Sequence, residues 1–309
     1  MKNDKISIIV PVYNEEGNIL PFYTELISNI PKKYTKEIIF IDDGSSDNTL
    51  RNIKKLANQY KIVKYISFTR NFGHQYALKA GLDKASGDAV ISIDGDFQHP
   101  PKLIPKMIGE WEKGVNKIIY AERRYSKESP FLKKVFSILF YRFINSMSES
   151  QIGVGRADYR LIDREVVKMI KDSNESTMFL RGLVAWTGHK SISIPYLEKN
   201  RKWGYSKYTI TKMLKLAVDA VTSFSTFPLR IASIVGLFMA MTSGLYGLYV
   251  VITWIYNREV ILGWSSVILS VLFIGGIQLV ILGIVGEYIG KIFLETKKRP
   301  LYLIRDSNI

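Results

Sequence analysis

Two aspartates two residues apart, Asp94 and Asp96, follow the short apolar run Ala89–Ile93. Carboxylates at that spacing, at a strand end, can share one hard cation. Mg²⁺ and Mn²⁺ prefer oxygen ligands and commonly bridge a protein carboxylate to substrate phosphates. A bare Asp-x-Asp is frequent in surface turns. The strand before it and the Phe97-Gln98-His99-Pro100 after it add weight, and Gln98 offers one more oxygen. A second acidic pair, Asp42-Asp43, closes the run Lys36–Ile41 and leads into Gly44-Ser45-Ser46-Asp47. Acidic groups at such a strand end can accept from ribose hydroxyls or a base N–H. A helix cap explains Ser46 or Asp47, but one cap does not require Asp42 and Asp43 as well. The stretch Lys199–Lys215 carries basic residues and no acidic ones. Such runs usually form a solvated face, but here the run immediately precedes long apolar segments. It therefore suits phosphate and anionic lipid.

These clusters need elements to hold them. Lys5–Val10, Lys36–Ile41, Lys61–Phe68, Ala89–Ile93 and Lys117–Ala121 read as strands. Helical sequence lies between them, over Glu16–Ile30 with Asn14 as a cap, from Ser46 or Asp47 to Tyr60, over His74–Lys84 and over Pro101–Lys113. Strand and helix alternating at this spacing imply βαβ units and a mainly parallel sheet. In such sheets ligands bind beyond the carboxyl ends of the strands, where Tyr13-Asn14-Glu15-Glu16, Asp42-Asp43 and Asp94-Gly95-Asp96 all fall. His74, His99 and His189 show no metal-ligand spacing, and Gly153-Val154-Gly155 lacks the third glycine of a dinucleotide fingerprint.

The chain of 309 residues has a formal net charge of +15, which points to an anionic partner. With no cysteine it has no disulfide, thiolate metal site or thiol nucleophile. Ile231–Tyr256 and Val260–Gly286 contain no charged residue, and each exceeds the ~20 residues needed to span a bilayer. They read as a transmembrane hairpin, with Gly275, Gly276, Gly283, Gly286 and Gly290 permitting close helix packing. Two further stretches, 131–147 and 208–224, have the spacing of basic amphipathic helices that lie in a membrane interface or pack on the sheet. The organisation expected is a catalytic domain over 1–225, two membrane helices within 226–290 and a tail over 291–309. Lys207, Lys212, Lys215 and Arg230 precede the first span, and Lys291, Lys297, Lys298 and Arg299 follow the second. Arg258 in the turn is neutralised by Glu259. The positive-inside rule then puts both termini and the catalytic domain in the cytoplasm of a multi-pass cell-membrane protein.

Ile9-Val10-Pro11-Val12-Tyr13-Asn14-Glu15-Glu16, Asp42-Asp43-Gly44-Ser45 and Asp94-Gly95-Asp96-Phe97-Gln98-His99-Pro100 together resemble glycosyltransferase family 2. With the two C-terminal spans, the whole chain is similar to that family's polyprenyl-phosphate enzymes, the bactoprenol glucosyltransferases and dolichol-phosphate mannose synthase. The resemblance implies an α/β GT-A fold with a Rossmann-like, mainly parallel sheet, a nucleotide-sugar donor, a divalent metal (Mg²⁺ or Mn²⁺) and inversion at the anomeric carbon. It implies that Pro11, Tyr13, Glu15 and Asp42 hold the nucleotide, and that Asp94, Asp96 and Gln98 surround metal and diphosphate. Arg123 resembles an arginine near the transferring phosphates, although Glu122 stands where many relatives have a small or neutral residue. Asp158, in Ala157-Asp158-Tyr159-Arg160, resembles a catalytic-site acid. Arg201 to Lys207 resembles a loop that closes over donor and acceptor phosphates, and Arg70-Asn71-Phe72-Gly73 a turn beside the donor.

The implied reaction carries a hexose, with UDP-glucose favoured as donor, onto undecaprenyl or another polyprenyl phosphate at a lipid bilayer, for later use in the cell envelope. GDP-mannose and other UDP-sugars stay open, as does a homo-oligomer. Processive polysaccharide synthases carry a Gln-x-x-Arg-Trp motif and more spans, which this chain lacks. Nucleic acid is not an expected partner, since two spans and no recognisable nucleic-acid motif outweigh the charge. Two helices with no polar interior path make a poor translocation route, so a separate flippase is expected. The basic flanks make orientation testable. A cysteine replacing Asn257 should react with an impermeant thiol reagent in intact cells and one replacing Ser307 should not; the reverse pattern refutes the assignment.

Overall fold

The computed structural model describes residues 4–124, 156–173, 175, 178–197, 226–257 and 263–309. The amphipathic stretches at 131–147 and 208–224, Arg201, Lys207 and the turn at 258–259 lie outside them. The described residues form two compact units. The first contains residues up to Leu197 together with 299–309, and the second residues 226–298.

The first unit is one eight-stranded sheet between helices. Its strands are β1 (Lys5–Val12), β2 (Thr35–Asp42), β3 (Val63–Phe68), β4 (Ala89–Ser92), β5 (Ile118–Arg124), β6 (Arg156–Asp163), β7 (Ser191–Leu197) and β8 (Ile304–Ser307), in spatial order β7-β5-β6-β4-β1-β2-β3-β8. β3, β2, β1 and β4 are parallel neighbours. β6 enters antiparallel between β4 and β5, and β7 runs parallel to β5. The carboxyl ends of β1 to β5 and β7 and the amino end of β6 therefore share one edge.

The central strands are apolar on both faces because both are covered. Ile6, Ile8 and Val10 of β1 pack with α1 (Ile19–Asn29), α2 (Thr49–Gln59) and α4 (Ile104–Glu112). Ile9, Ile39 and Ile41 pack on the other side with α3 (His74–Lys84), α5 (Arg164–Asp172) and α6 (Leu180–Trp186). Pro11 sits in β1 without disrupting the sheet. Ile93 N still donates to Ile9 O at 3.1 Å, while Asp43 N donates to Val12 O on the β2 side. By alternation, the nitrogen of Pro11 faces the β4 side, past that last bond, where no donor is needed.

Asn14 caps no helix. It has φ 52°, in the left-handed region that asparagine tolerates, and its Oδ1 accepts from Ser46 N at 2.9 Å. Helix α1 begins only at Ile19. For α2 the Asp47 carboxylate does accept from Thr49 N at 3.0 Å. Residues read as a tail are structured. The last helix continues to Thr296, and β8 pairs antiparallel with β3. Tyr65 N also donates to Asn308 Oδ1 at 2.7 Å, and Lys54 pairs with Asp306.

The second unit is a pair of helices in contact, α7 (Phe227–Asn257) and α8 (Trp264–Thr296). Each contains a segment long and apolar enough to cross a membrane, Phe227–Tyr249 and Phe273–Thr296. Large apolar side chains such as Leu237, Phe238 and Leu279 are exposed, which water does not tolerate over so long a stripe. The glycines differ from expectation. A Cβ built on Gly275, Gly276, Gly283, Gly286 or Gly290 meets no atom within 4 Å among the described residues.

Gly44 illustrates how tightly the site loops approach. Its φ is +71°, and a Cβ there would lie 2.7 Å from both Arg70 O and Asn71 N. Gly44→Ala should therefore cost about 2 kcal/mol or more, read as a fall in denaturation midpoint. Gly17→Ala, in open space, should be near neutral.

Candidate active site

Loops at the shared edge are tied together by their own polar groups. Asn14 N donates to Ser45 Oγ at 2.9 Å and Glu15 N to Thr49 Oγ1 at 2.8 Å, joining the loop after β1 to the loop after β2. The Glu15 carboxylate accepts from Asn18 Nδ2 at 2.6 Å. Tyr13 is half-buried beside them, and Pro11 is buried within β1. Asp42 is buried, accepting from Ser45 N at 3.0 Å and Ser67 Oγ at 2.8 Å. Asp43 accepts from Phe72 N at 2.8 Å and Gly73 N at 3.0 Å, which fixes the entry to α3. Burial outweighs these bonds and raises its carboxyl above the usual value. The sequence marked both aspartates as ligand groups; the structure shows each also bracing a loop.

After β4 the chain turns sharply. Gly95 lets the turn press on β1, where a Cβ would lie 2.9 Å from Val12 Cγ1. Phe97 adopts φ 64°, a conformation costing about 1–2 kcal/mol. Burial of its ring, edge-on to Phe22 at 5.3 Å, offsets that cost. Asp96 is buried and accepts from Gln98 N at 3.1 Å. Asp94 is more open and stands between two imidazoles. His99 Nε2 lies 3.1 Å from its Oδ2, and His74 Nε2 lies 3.5 Å from its Oδ1. With its proton on Nε2, His99 donates to Asp94 and accepts from the Tyr196 hydroxyl at 2.7 Å.

Asp158, at the start of β6, is also buried. Arg181 grips it through Nε at 3.1 and 3.2 Å and Nη2 at 2.8 Å. Gln75 Nε2 donates to it at 3.1 Å, His74 Nε2 lies at 3.7 Å, and Arg160 Nη2 at 3.6 Å. Burial opposes ionisation, but the charge of Arg181, then His74 and Arg160, holds the carboxyl well below its usual range. Asp158 is thus an anion whose lone pairs are already occupied. Arg123 lies at the end of β5, in register with Tyr196 of β7. The structure therefore gathers Pro11, Tyr13, Glu15, Asp42, Asp94, Asp96, Gln98, Arg123 and Asp158 along one sheet edge; Arg201 and Lys207 lie outside the described residues.

The oxygens of Asp94 and Asp96 suit Mg²⁺ or Mn²⁺. Among the described residues no three His, Asp or Glu side chains converge as a metal site. Carboxylate oxygens are also the donors through which such a cation bridges protein and a bound diphosphate.

Sequence reasoning missed His74, Gln75, His99, Arg181 and Tyr196. His99 lay inside the Asp94–Pro100 motif, and His74 opens a helix at a strand's carboxyl end, so both carried a positional signal. Arg181 carried none, since its partner lies 23 residues away on another element.

Residues 7–170 match the family model described as Glycosyl transferase family 2, and residues 227–292 match the GtrB C-terminal hairpin. The chain is 43% identical to the Bactoprenol glucosyl transferase of Shigella phage SfX, covering 97% of this chain and 99% of that one. It is 42% identical to the Uncharacterized glycosyltransferase YkcC of Bacillus subtilis (strain 168), over 97% of this chain and 93% of that one. It is 41% identical to the Prophage bactoprenol glucosyl transferase homolog of Escherichia coli (strain K12), over 97% and 98% respectively.

The His74 environment gives a pH signature. Burial disfavours the imidazolium, but the charges of Asp94 and Asp158 outweigh it, raising the pKa to about 9. A raised folded-state pKa means that stability from the charged form is complete below about pH 6.5 and is lost as pH rises through about 9. In metal-free protein, the stability of wild type over His74→Gln should shrink across that window in denaturant titrations. A difference that grows with pH would contradict the assignment.

Proposed function

We propose that this chain, which belongs to glycosyltransferase family 2, transfers glucose from UDP-glucose onto a polyprenyl phosphate at the cytoplasmic face of a membrane. The observation that carries this reading is the near full-length identity to bactoprenol glucosyl transferases, which spans both the sheet and the helical hairpin. The arrangement of residues supports it. A strand-end acidic pair, a cluster of polar groups on the neighbouring loops and two apolar helices occur in one chain.

In this reaction an oxygen of the acceptor phosphate attacks the anomeric carbon from the face opposite the leaving group. The new C–O bond forms as the bond to the diphosphate breaks, UDP departs, and configuration inverts. Tyr13, Glu15 and Asp42 line the nucleotide position, with Pro11 shaping the strand end. Asp94, Asp96 and Gln98 would hold a divalent cation, which when bound neutralises charge on the diphosphate. Arg123, with Arg201 and Lys207 assigned by resemblance, neutralises the transferring and accepting phosphates.

A phosphate monoester has its second pKa near 6, so at neutral pH the acceptor is already a competent anion. General-base catalysis then matters less than for a sugar hydroxyl. This agrees with an Asp158 that is ionised, buried and saturated with donors. Its role is to hold cations in place.

The test is a panel of nucleotide-sugars offered with undecaprenyl phosphate to the detergent-solubilised chain, read by the mass of the lipid product and repeated in EDTA. UDP-glucose should give a hexosyl-phosphate lipid, and EDTA should abolish it. Product from GDP-mannose alone would replace the donor, and undiminished product in EDTA would remove the cation.

A further inference from the structure

The buried imidazole of His99 is held at both ring nitrogens and by two aromatic neighbours. Its ring lies 5.3 Å from that of Tyr159 on β6 and 5.8 Å from that of Tyr196 on β7, centroid to centroid. Nδ1 is 2.7 Å from the Tyr196 hydroxyl, and Nε2 is 3.1 Å from Asp94 Oδ2. An ionised carboxylate can only accept, so Nε2 carries a proton. The Tyr196 hydroxyl then donates to a neutral ring or accepts from a charged one. In either state the Nε2–H stays aimed at Asp94.

Packing alone does not call for this chemistry. The turn after β4 is already tied down, since the Tyr159 hydroxyl donates to Pro100 O at 3.1 Å and the Phe97 ring is buried against Phe22. A phenylalanine at position 99 would supply the ring contacts. What it would not supply is the bond to Asp94.

Asp94 is the group that gains from that bond. The terminal torsion of an aspartate is broad, so a carboxylate with no fixed partner swings through many orientations. Asp94 has a side chain that is 29% exposed, whereas Asp96 is buried. His99 bonds one oxygen and thereby sets the carboxylate plane. The other oxygen, Oδ1, stands at the looser distance of 3.5 Å from His74 Nε2. The brace runs from the loop after β4 to β7, three strands away in the sheet. Asp94 is therefore fixed against a distant strand and not only against its own loop. Carboxylates that bind metal are held by partners of this kind, and losing the partner weakens the metal.

We infer that His99 is a positioning residue that orients the Asp94 carboxylate toward a divalent cation, with Tyr196 fixing the imidazole. The inference rests on the cation role given to Asp94 above.

The test is calorimetry of UDP binding to the detergent-solubilised full-length chain, at a fixed Mn²⁺ concentration and again in EDTA. The ratio of the two affinities isolates the share of the cation and needs no turnover. Wild type is compared with His99→Gln, with Tyr196→Phe, and with the double variant His99→Phe and Tyr196→Phe, which keeps both aromatic positions filled. The double variant should lower the ratio about tenfold or more, the scale of a lost partner to a metal-binding group. Its UDP affinity in EDTA should stay within about twofold. His99→Gln should recover part of the loss, because its amide nitrogen can donate to Asp94. Tyr196→Phe should fall between wild type and the double variant. Electron spin-echo spectra of wild type with Mn²⁺ and UDP should show no directly bound imidazole nitrogen.

A ratio unchanged in both the double variant and Tyr196→Phe overturns the inference. So does a loss of UDP affinity in EDTA as large as the loss with Mn²⁺, because His99 then supports only the fold. A bound nitrogen that disappears in His99→Gln makes His99 a ligand and also overturns the positioning role. If the ratio falls as expected yet wild type makes no glycolipid from any donor, the proposed reaction fails while this role stands. If wild type makes glycolipid in a cation-dependent way and the ratio does not move, the reverse holds.

Discussion

Five aspartates, Asp42, Asp43, Asp94, Asp96 and Asp158, converge on one edge of a sheet, and their mutual repulsion is the constraint around which that edge is built. Each is given its own compensation. Asp42 takes a backbone N–H and a serine hydroxyl, and Asp43 takes the amides that open α3. Asp94 takes two imidazoles, Asp96 an amide two residues on, and Asp158 a bidentate arginine with further donors. A charge buried without a partner would cost several kcal/mol, so these contacts are conditions for the loops to exist at all. The same contacts fix loop against loop, which is why groups distant in sequence arrive with defined spacing.

The parallel sheet makes this convergence possible. Strands β1 to β4 end together because helical crossovers return each one in the same direction. Strand β6 adds to the edge by running the other way, so its first residues carry Asp158 to the level where β4 ends. This is the GT-A arrangement, in which chemistry lies beyond the strand ends and the strands themselves are free to be wholly apolar. The hairpin of α7 and α8 obeys a different solvent rule, with apolar side chains outward. It is joined to the first unit at both ends, since residues 299–309 return as β8.

Local pattern carried much of this fold. Runs such as Lys36–Ile41 and Ala89–Ile93 are apolar because both faces are buried, and burial is what sequence periodicity records. Helix α3 has the bounds that its pattern implied. Strand β6 was less legible because it carries Asp158 and Arg160, which read as solvent-facing until they are seen as a buried ion pair. Strand β8 is short and polar, and it forms because β3 has an open edge, a fact no window of sequence contains. Asn14 fits the composition of a cap but is used as a left-handed corner. Asp94, Asp96 and Asp158 were legible as chemistry. Their partners His74, His99 and Arg181 were not, because ion pairing across elements leaves no trace in local spacing.

The electrostatics of the edge also bear on the kind of catalysis it can support. A general base needs a lone pair directed at the substrate and a pKa near working pH. Asp158 has neither, since Arg181 and Gln75 occupy its oxygens and its pKa is driven down. Asp94 is likewise lowered, with burial opposed by the charge of His74 and the hydrogen bond from His99. Both acids are thus fixed anions that place cations. A site of that kind contributes most when both reactants arrive charged, because the barrier is then dominated by bringing anions together. The proposed pairing of a sugar diphosphate with a lipid phosphate is that case, so one logic covers the acidic edge, the arginines around it and the absence of a poised base among these two acids.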